Sequence, residues 1–177
     1  MIKNIYRKIV SEKQRIALHY ALYKIEAVLL WSNRYECCCC GKSSRRFLSH
    51  GNLGLRKNIK CPHCLSLERT RILCMYIKNE IFKSGIQPMR VLHFAPVKGL
   101  KDFLKNSPYV STYIDADLNP NVATYQADMT RMPYEDNSFD LLICSHILYC
   151  IPEDRKAMQE IHRVLRPGGK ALIVDTI

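Results

Sequence analysis

Apolar residues recur along this chain in three different rhythms. Between residues 2 and 33, Ile5, Ile9, Ile16, Leu18, Ala21, Leu22, Ile25, Leu29 and Leu30 fall at largely helical spacing with Lys and Arg between them. That pattern predicts one basic amphipathic helix or two short ones. The expected use of its apolar face is packing on the rest of the protein, in preference to a lipid surface. Tyr35 to Leu65 has few apolar residues and is rich in cysteine, glycine and basic side chains, so something other than a core must order it. Ser66 then reads as the N-cap of a helix marked by Leu67, Leu73, Cys74, Ile77 and Ile81 and ended by Gly85.

From Arg90 onward short apolar runs alternate with helical patterns. Val91 to Phe94, Val110 to Asp115, Val122 to Gln126, Phe139 to Cys144 and Lys170 to Asp175 read as strands. Helices are expected around Leu100 to Leu104 and from about Asp154 to Leu165, where Pro-Gly-Gly would stop the second. Such alternation predicts an α/β fold with a parallel sheet and crossover helices. Four segments result: a basic helical segment over 1–33, a cysteine module over 34–66, a connecting helix over 67–87 and an α/β domain over 88–177.

A chain of 177 residues, 47% hydrophobic, can bury one substantial core and carry a small appended module. Charge is divided unevenly. Residues 1–83 hold 17 Lys/Arg against 5 Asp/Glu, whereas residues 84–177 hold 10 against 11. A basic half-molecule raises the local concentration of polyanions, so a polyanion contact belongs in its first half. The apolar stretch Ile16 to Trp31 is interrupted by His19, Lys24 and Glu26 and is followed by no small-residue cleavage site. It is read as neither a transmembrane segment nor a signal peptide. Nine cysteines, locally clustered, suit ligation in a reducing compartment better than a disulfide framework, and a cytoplasmic protein is expected.

The cysteines carry the most specific pattern. Cys37-x2-Cys40 is followed after twenty residues by Cys61-x2-Cys64, the spacing of a four-thiolate zinc site. Two tight knuckles can aim four sulfurs at one ion, and Gly41 and Pro62 are suitable knuckle neighbours. Cys38 and Cys39, adjacent to the ligands, should point elsewhere, and His63 inside the second knuckle is poorly placed to substitute. A closed site of this kind is structural.

The segment DMTRMPYEDNSFDLLICSHILYCIPEDRKAMQEIHRVLRPGGKALIV closely resembles class I S-adenosylmethionine-dependent methyltransferases of the type 11 kind. The cysteine pairs followed by SLERTR and VLHFAP resemble a subgroup with an N-terminal zinc-ribbon-like module. The resemblance implies a Rossmann-like methyltransferase fold with S-adenosyl-L-methionine lying across the carboxyl ends of the strands, as the switch-point rule independently expects. It places Ala95 to Gly99 under the methionine moiety. The common family pattern has an acidic residue and a Gly-x-Gly turn there, whereas this chain has His93 and Ala95-Pro96. Asp117, with Leu118 beside it, matches the position that accepts hydrogen bonds from the ribose hydroxyls, and Asp115 is the alternative. Asp128 would accept from the adenine amine and Met129 pack on the ring. Ser145 and His146 would face the methyl group and substrate.

Methyl transfer needs a nucleophile aligned behind the methyl carbon in a dry pocket, so no dedicated catalytic residue is required and none is assigned. The acceptor is left open among RNA, glycan, small molecule and protein. Compared with the family, the segment after the fifth strand is short, so the fold is expected to lack its C-terminal strands and to leave an open sheet edge capable of self-association. The rival reading is a zinc-binding interaction protein or truncated remnant without transfer activity.

Overall fold

The computed structural model describes residues 11–51, 54–84 and 87–175, and the chain divides into two compact units, Met1–Met75 and Tyr76–Ile177. The helical reading of residues 2–10, the role of Gly85 as a helix end and the terminal Ile177 lie outside the described residues.

In the first unit, helix α1 runs Glu12–Leu29. Its start is fixed by a capping box: Gln14 N donates to Ser11 Oγ at 3.3 Å and Ser11 N donates to Gln14 Oε1 at 3.0 Å. The helix stops short of residue 33 because Trp31–Glu36 forms strand β1, paired antiparallel with β2 (Ser43–Ser44). A second hairpin joins β3 (Leu48–His50) to β4 (Arg56–Lys60). The expected packing of the helix's main apolar stripe is not what the fold uses. Leu18, Leu22, Ile25, Val28 and Leu29 are between 49% and 75% exposed, and the inward positions are the small Ala27 and the terminal Leu30. Tyr23, on the inner side, holds the helix to β4, with Lys60 Nζ donating to its hydroxyl at 2.9 Å.

Helix α2 spans Glu68–Tyr76 and is followed by a π turn at Ile77–Ile81 and a 3-10 turn at Phe82–Ser84. Ser66 does not cap it. The first turn closes on Leu67, whose carbonyl accepts from Arg71 N, while the Ser66 hydroxyl is buried against the sulfurs of Cys64 and Cys37 at 3.1 and 3.4 Å. Arg71 ties this corner together, its Nη1 donating to the carbonyls of Ile59 and Ser66 at 2.8 and 3.0 Å.

In the second unit, β5 (Met89–Phe94), β6 (Val110–Asp117), β7 (Tyr125–Gln126), β8 (Phe139–Ser145) and β9 (Leu165–Val174) form one parallel sheet in the order β7-β6-β5-β8-β9. Helices α3 (Lys98–Lys105) and α4 (Asp154–Val164) are the crossovers. This is the Rossmann-like arrangement expected, with five strands among the described residues and β9 at one edge. Alternation along the strands divides the core. Leu92, Phe94, Ala116, Leu142 and Cys144 cluster with Ala157, Ile161 and Val164 of α4, and each fully buried Leu contributes about 1.5–3 kcal/mol. β9 is longer than the run Lys170–Asp175 implies. Leu165 already pairs with Phe139, and pairing resumes at Lys170 opposite Leu141, so Arg166 to Gly169 bulge out between them with Gly168 at φ +80°. Gly169 is required there, since a Cβ would come within 2.9 Å of the Arg166 carbonyl oxygen.

The opposite face holds a polar inclusion. His93, completely buried, has Nδ1 2.8 Å from the Tyr113 hydroxyl and pairs across the strands with Asp115. Asp115 is 2% exposed; burial pushes its carboxyl up, but Lys101 Nζ at 2.5 Å and Thr124 N at 3.1 Å donate to it and hold it below the usual range. Burial drives the His93 imidazole down to about 3 against the opposing pull of Asp115, with Lys101 adding to the decrease. His93 is therefore neutral in the fold, while in the unfolded chain it protonates near 6.5. The unfolded state takes up the extra proton as pH falls, so this contribution is complete above about pH 6.5 and is lost progressively toward pH 3. Urea unfolding followed by circular dichroism at pH 7.5 and 5.5 should show this loss. The non-titrating variant His93→Gln should lack up to about 1.4 kcal/mol per pH unit of the parent's dependence. An identical dependence in both would contradict the assignment.

Candidate functional site

The carboxyl ends of β5, β6, β7 and β8 open onto a cavity of about 500 Å³, within the range of small-molecule and cofactor sites. It lies where the strand order reverses, since β6 and β8 flank β5 on opposite sides. Phe94 and Ala95 line it from β5, Asp117 and Leu118 from β6, and Asp128, Met129 and Thr130 from the loop after β7. The far wall is Ile147, Cys150 and Ile151, ending at Pro152 and Glu153.

The turn leaving β5 works without glycine by placing Ala95 in the left-handed region, at φ +46°. Its N–H donates to the Ala116 carbonyl at 3.0 Å, which anchors this conformation to β6. The neighbouring strand ends the same way. His146 follows β8 at φ +58° with its N–H donating to the Val174 carbonyl at 2.7 Å.

The charged groups of the cavity are carboxylates. Asp117 Oδ1 accepts from Asn119 N at 2.8 Å, and Asp128 Oδ1 accepts from Thr130 N and Oγ1, both at 2.8 Å, so each acid has its second oxygen outside these bonds. With Glu153, three acids and no Lys or Arg line the space among the described residues. Such a cavity suits a ligand that is cationic and rich in donors, and it opposes one bearing phosphates. Arg163 fixes the loop beneath, donating to the carbonyls of Met132 and Tyr134 at 3.0 and 2.7 Å and bridging to Glu160 at 2.7 Å.

Of the residues singled out from the sequence, Ala95, Asp117, Leu118, Asp128 and Met129 line the cavity. His93, Pro96, Gly99, Ser145 and His146 do not. His93 is committed to Tyr113 on the other side of the sheet, Gly99 is buried in α3, and Ser145 and His146 end β8 beside β9. Asp115 also lies off the cavity, engaged by Lys101. Ile147, Cys150 and Ile151 were not singled out. They belong to an apolar run that reads as strand continuation, and the 3-10 turn Leu148–Cys150 that folds them over the cavity leaves no sequence signal.

The first unit contains a second site. The sulfurs of Cys37, Cys40, Cys61 and Cys64 all lie within 4.8 Å of one another. Both knuckles use the same geometry. Gly41 N donates to the Cys37 carbonyl at 2.8 Å with φ +65°, and Leu65 N donates to the Cys61 carbonyl at 3.0 Å with φ +62°. Cys37–Cys64 and Cys40–Cys61 sulfurs are 3.7 and 3.9 Å apart. A tetrahedron with metal–sulfur bonds of about 2.3 Å has edges of about 3.8 Å, so the four positions fit one such ion. Cys38 Sγ is directed at the Arg71 carbonyl, Cys39 Sγ lies 2.7 Å from Cys74 Sγ, and the His63 ring contacts the Ser43 carbonyl.

Comparison with known proteins concentrates on the second unit. Residues 101–173 match the methyltransferase domain family. The 2-phytyl-1,4-naphtoquinone methyltransferase of Nostoc punctiforme is 39% identical over 56 residues, 32% of this chain and 24% of the relative. The demethylmenaquinone methyltransferase of Staphylococcus epidermidis is 36% identical over 80 residues, 45% of this chain and 32% of the relative. The chain thus spans about a quarter to a third of the length of these curated relatives. Among solved structures, the CurJ carbon methyltransferase aligns with a TM-score of 0.49 at 16% identity, over 59% of this chain and 33% of that one. The fold rests on the strand order and not on that alignment. By its matched segment, residues 101–173, the Tyr76–Ile177 unit is similar to methyltransferase domains, and its sheet has the Rossmann-like strand order.

Proposed function

We propose that this chain is part of an S-adenosylmethionine-dependent methyltransferase whose basic first unit is a zinc-ribbon-like module. The carrying observation is the cavity lined by Asp117, Asp128 and Glu153 with no cation among the described residues. S-adenosylmethionine presents a sulfonium, an amino group, ribose hydroxyls and an adenine amine, and it has no phosphate. Asp117 at the end of β6 accepts the ribose hydroxyls, Asp128 accepts from the adenine amine, and Met129 and Leu118 pack against the base. Ala95 supplies the close backbone approach. Ile147 and Ile151 exclude water from the side where the acceptor aligns with the methyl group, so rate comes from positioning and a dry surround.

Zinc at Cys37, Cys40, Cys61 and Cys64 would order a unit whose apolar interior is otherwise small: beyond its cysteines, Ala27, Leu30, Leu48 and Leu73 are the hydrophobic residues buried among those described. The ion would be structural, since four thiolates leave no open position. Nine unpaired cysteines support a reducing, cytoplasmic setting.

Metal analysis of the purified chain should give one zinc, and Cys61→Ser should lose it together with the order of the β1–β4 region, because zinc binding and folding of such modules are coupled. Undiminished zinc with an unchanged circular dichroism spectrum would remove the metal reading. Calorimetric titration with S-adenosylmethionine should show Asp117→Ala weakening binding by about 1.5–3 kcal/mol, the scale of hydrogen bonds to a charged group. Asp115→Asn should act on stability and leave affinity within about twofold once folded. Equal losses at the two positions would reverse the ribose assignment, and no binding by the parent chain would favour the remnant without transfer activity.

A further inference from the structure

The basic residues of the first unit divide into two kinds. Arg56 is bridged to Glu68, Arg71 is spent on carbonyls, and Lys60 is tied to Tyr23. Arg34, Arg45, Arg46 and Lys57 are different. They come from three separate segments, all are exposed, and none has a carboxylate partner among the described residues. The two hairpins nonetheless bring them to one concavity of about 730 Å³, in which Glu26 is the single lining carboxylate among the described residues. Holding four like charges around one hollow is unfavourable without a counter-charge. The same hollow carries three aromatic rings, of which Tyr23 is held by Lys60. Tyr35 is 47% exposed with the Arg34 guanidinium 5.2 Å from its centroid, and Phe47 is covered on one side by Arg71 at 4.7 Å.

We infer that this concavity binds a single-stranded nucleic acid segment, with Arg34, Arg45, Arg46 and Lys57 on the phosphates and Tyr35 stacked on a base. Cations tracking a backbone beside an exposed ring are the elements of sequence-tolerant single-strand binding. A duplex keeps its base faces stacked inside and gives Tyr35 nothing to pack on. A bilayer surface presents its charge on a plane, which a hollow cannot follow, and it has no π face. No continuous aromatic-basic strip marks this site in the sequence, because its members come from α1, β1, the segment after β2 and β4.

Fluorescence polarisation of the full chain with a labelled single-stranded oligouridylate of about twelve nucleotides tests the inference without any cofactor present, so its failure is separate from a failure of S-adenosylmethionine binding. Binding should weaken with salt at a log–log slope of about −2 to −3, at roughly −0.7 per phosphate neutralised. Arg45→Ala/Arg46→Ala should lower affinity about 10- to 100-fold and reduce the slope by about 1.4. Tyr35→Ala should lower affinity about tenfold with the slope unchanged, which a purely electrostatic surface would not show. Unchanged zinc content and Trp31 fluorescence establish that the variants remain folded. Three results would overturn the inference: unaltered affinity in the Arg45/Arg46 variant, no effect of Tyr35→Ala, or preferential binding to phosphatidylglycerol vesicles over the oligonucleotide.

Discussion

Parallel pairing of β5 on both of its sides, with β6 and with β8, is the constraint on which the second unit depends. A strand hydrogen-bonded on both edges and covered on both faces is largely apolar, and Val91, Leu92 and Phe94 are buried accordingly, with His93 the buried polar exception. Because the chain leaves β5 toward β6 and returns on the other side as β8, the crossovers diverge and a crevice opens above the shared carboxyl ends. The wall formed by Phe94, Ala95, Asp117 and Leu118 is set by where these strands stop. Ala95 and Asp117 are positioned by the sheet and require little from their own loops.

That dependence explains how a glycine-poor turn is compatible with a cofactor cleft. Ala95 is held in the left-handed region by its bond to the Ala116 carbonyl, so the neighbouring strand offsets a local strain of order 1–3 kcal/mol. A dinucleotide fold needs glycine there for backbone approach to a pyrophosphate, and a ligand lacking phosphates relaxes the requirement. The carboxylate lining is consistent with the same ligand. In the first unit the equivalent constraint is the sulfur cluster, since two hairpins with so few buried apolar side chains have little else to fix their mutual geometry.

The sheet was legible in the sequence because its strands are short apolar runs separated by helical periods, and the observed β5, β6 and β8 coincide with those runs. Legibility failed where tertiary contacts override local pattern. Leu165 to Gly169 reads as a helix stop followed by a turn, and Gly168 does turn there, but Leu165 already pairs with Phe139, so β9 begins before the turn. Ser66 has the chemistry of a cap and is taken instead by the cysteine sulfurs. His93 stands where the family carries a cleft residue, but strand alternation turns it to the far face, where Tyr113 and Asp115 receive it. Asp117 and Asp128 could be found because acids just after strands are conspicuous; Ile147 and Ile151 could not, because an apolar residue in a 3-10 turn over a cavity looks like any core residue. The basic concavity is assembled from distant segments and exists only in three dimensions.

Under the proposed function the carboxylates of the cleft select a phosphate-free, cationic nucleoside. Calorimetry of the chain against S-adenosylmethionine and, separately, against a nicotinamide dinucleotide tests it most directly, since both ligands carry adenine and ribose and differ in sulfonium against pyrophosphate. Saturable micromolar binding of S-adenosylmethionine with dinucleotide binding at least about 100-fold weaker is expected, a difference of about 2.7 kcal/mol. Equal affinity for the two, or preference for the dinucleotide, would contradict it.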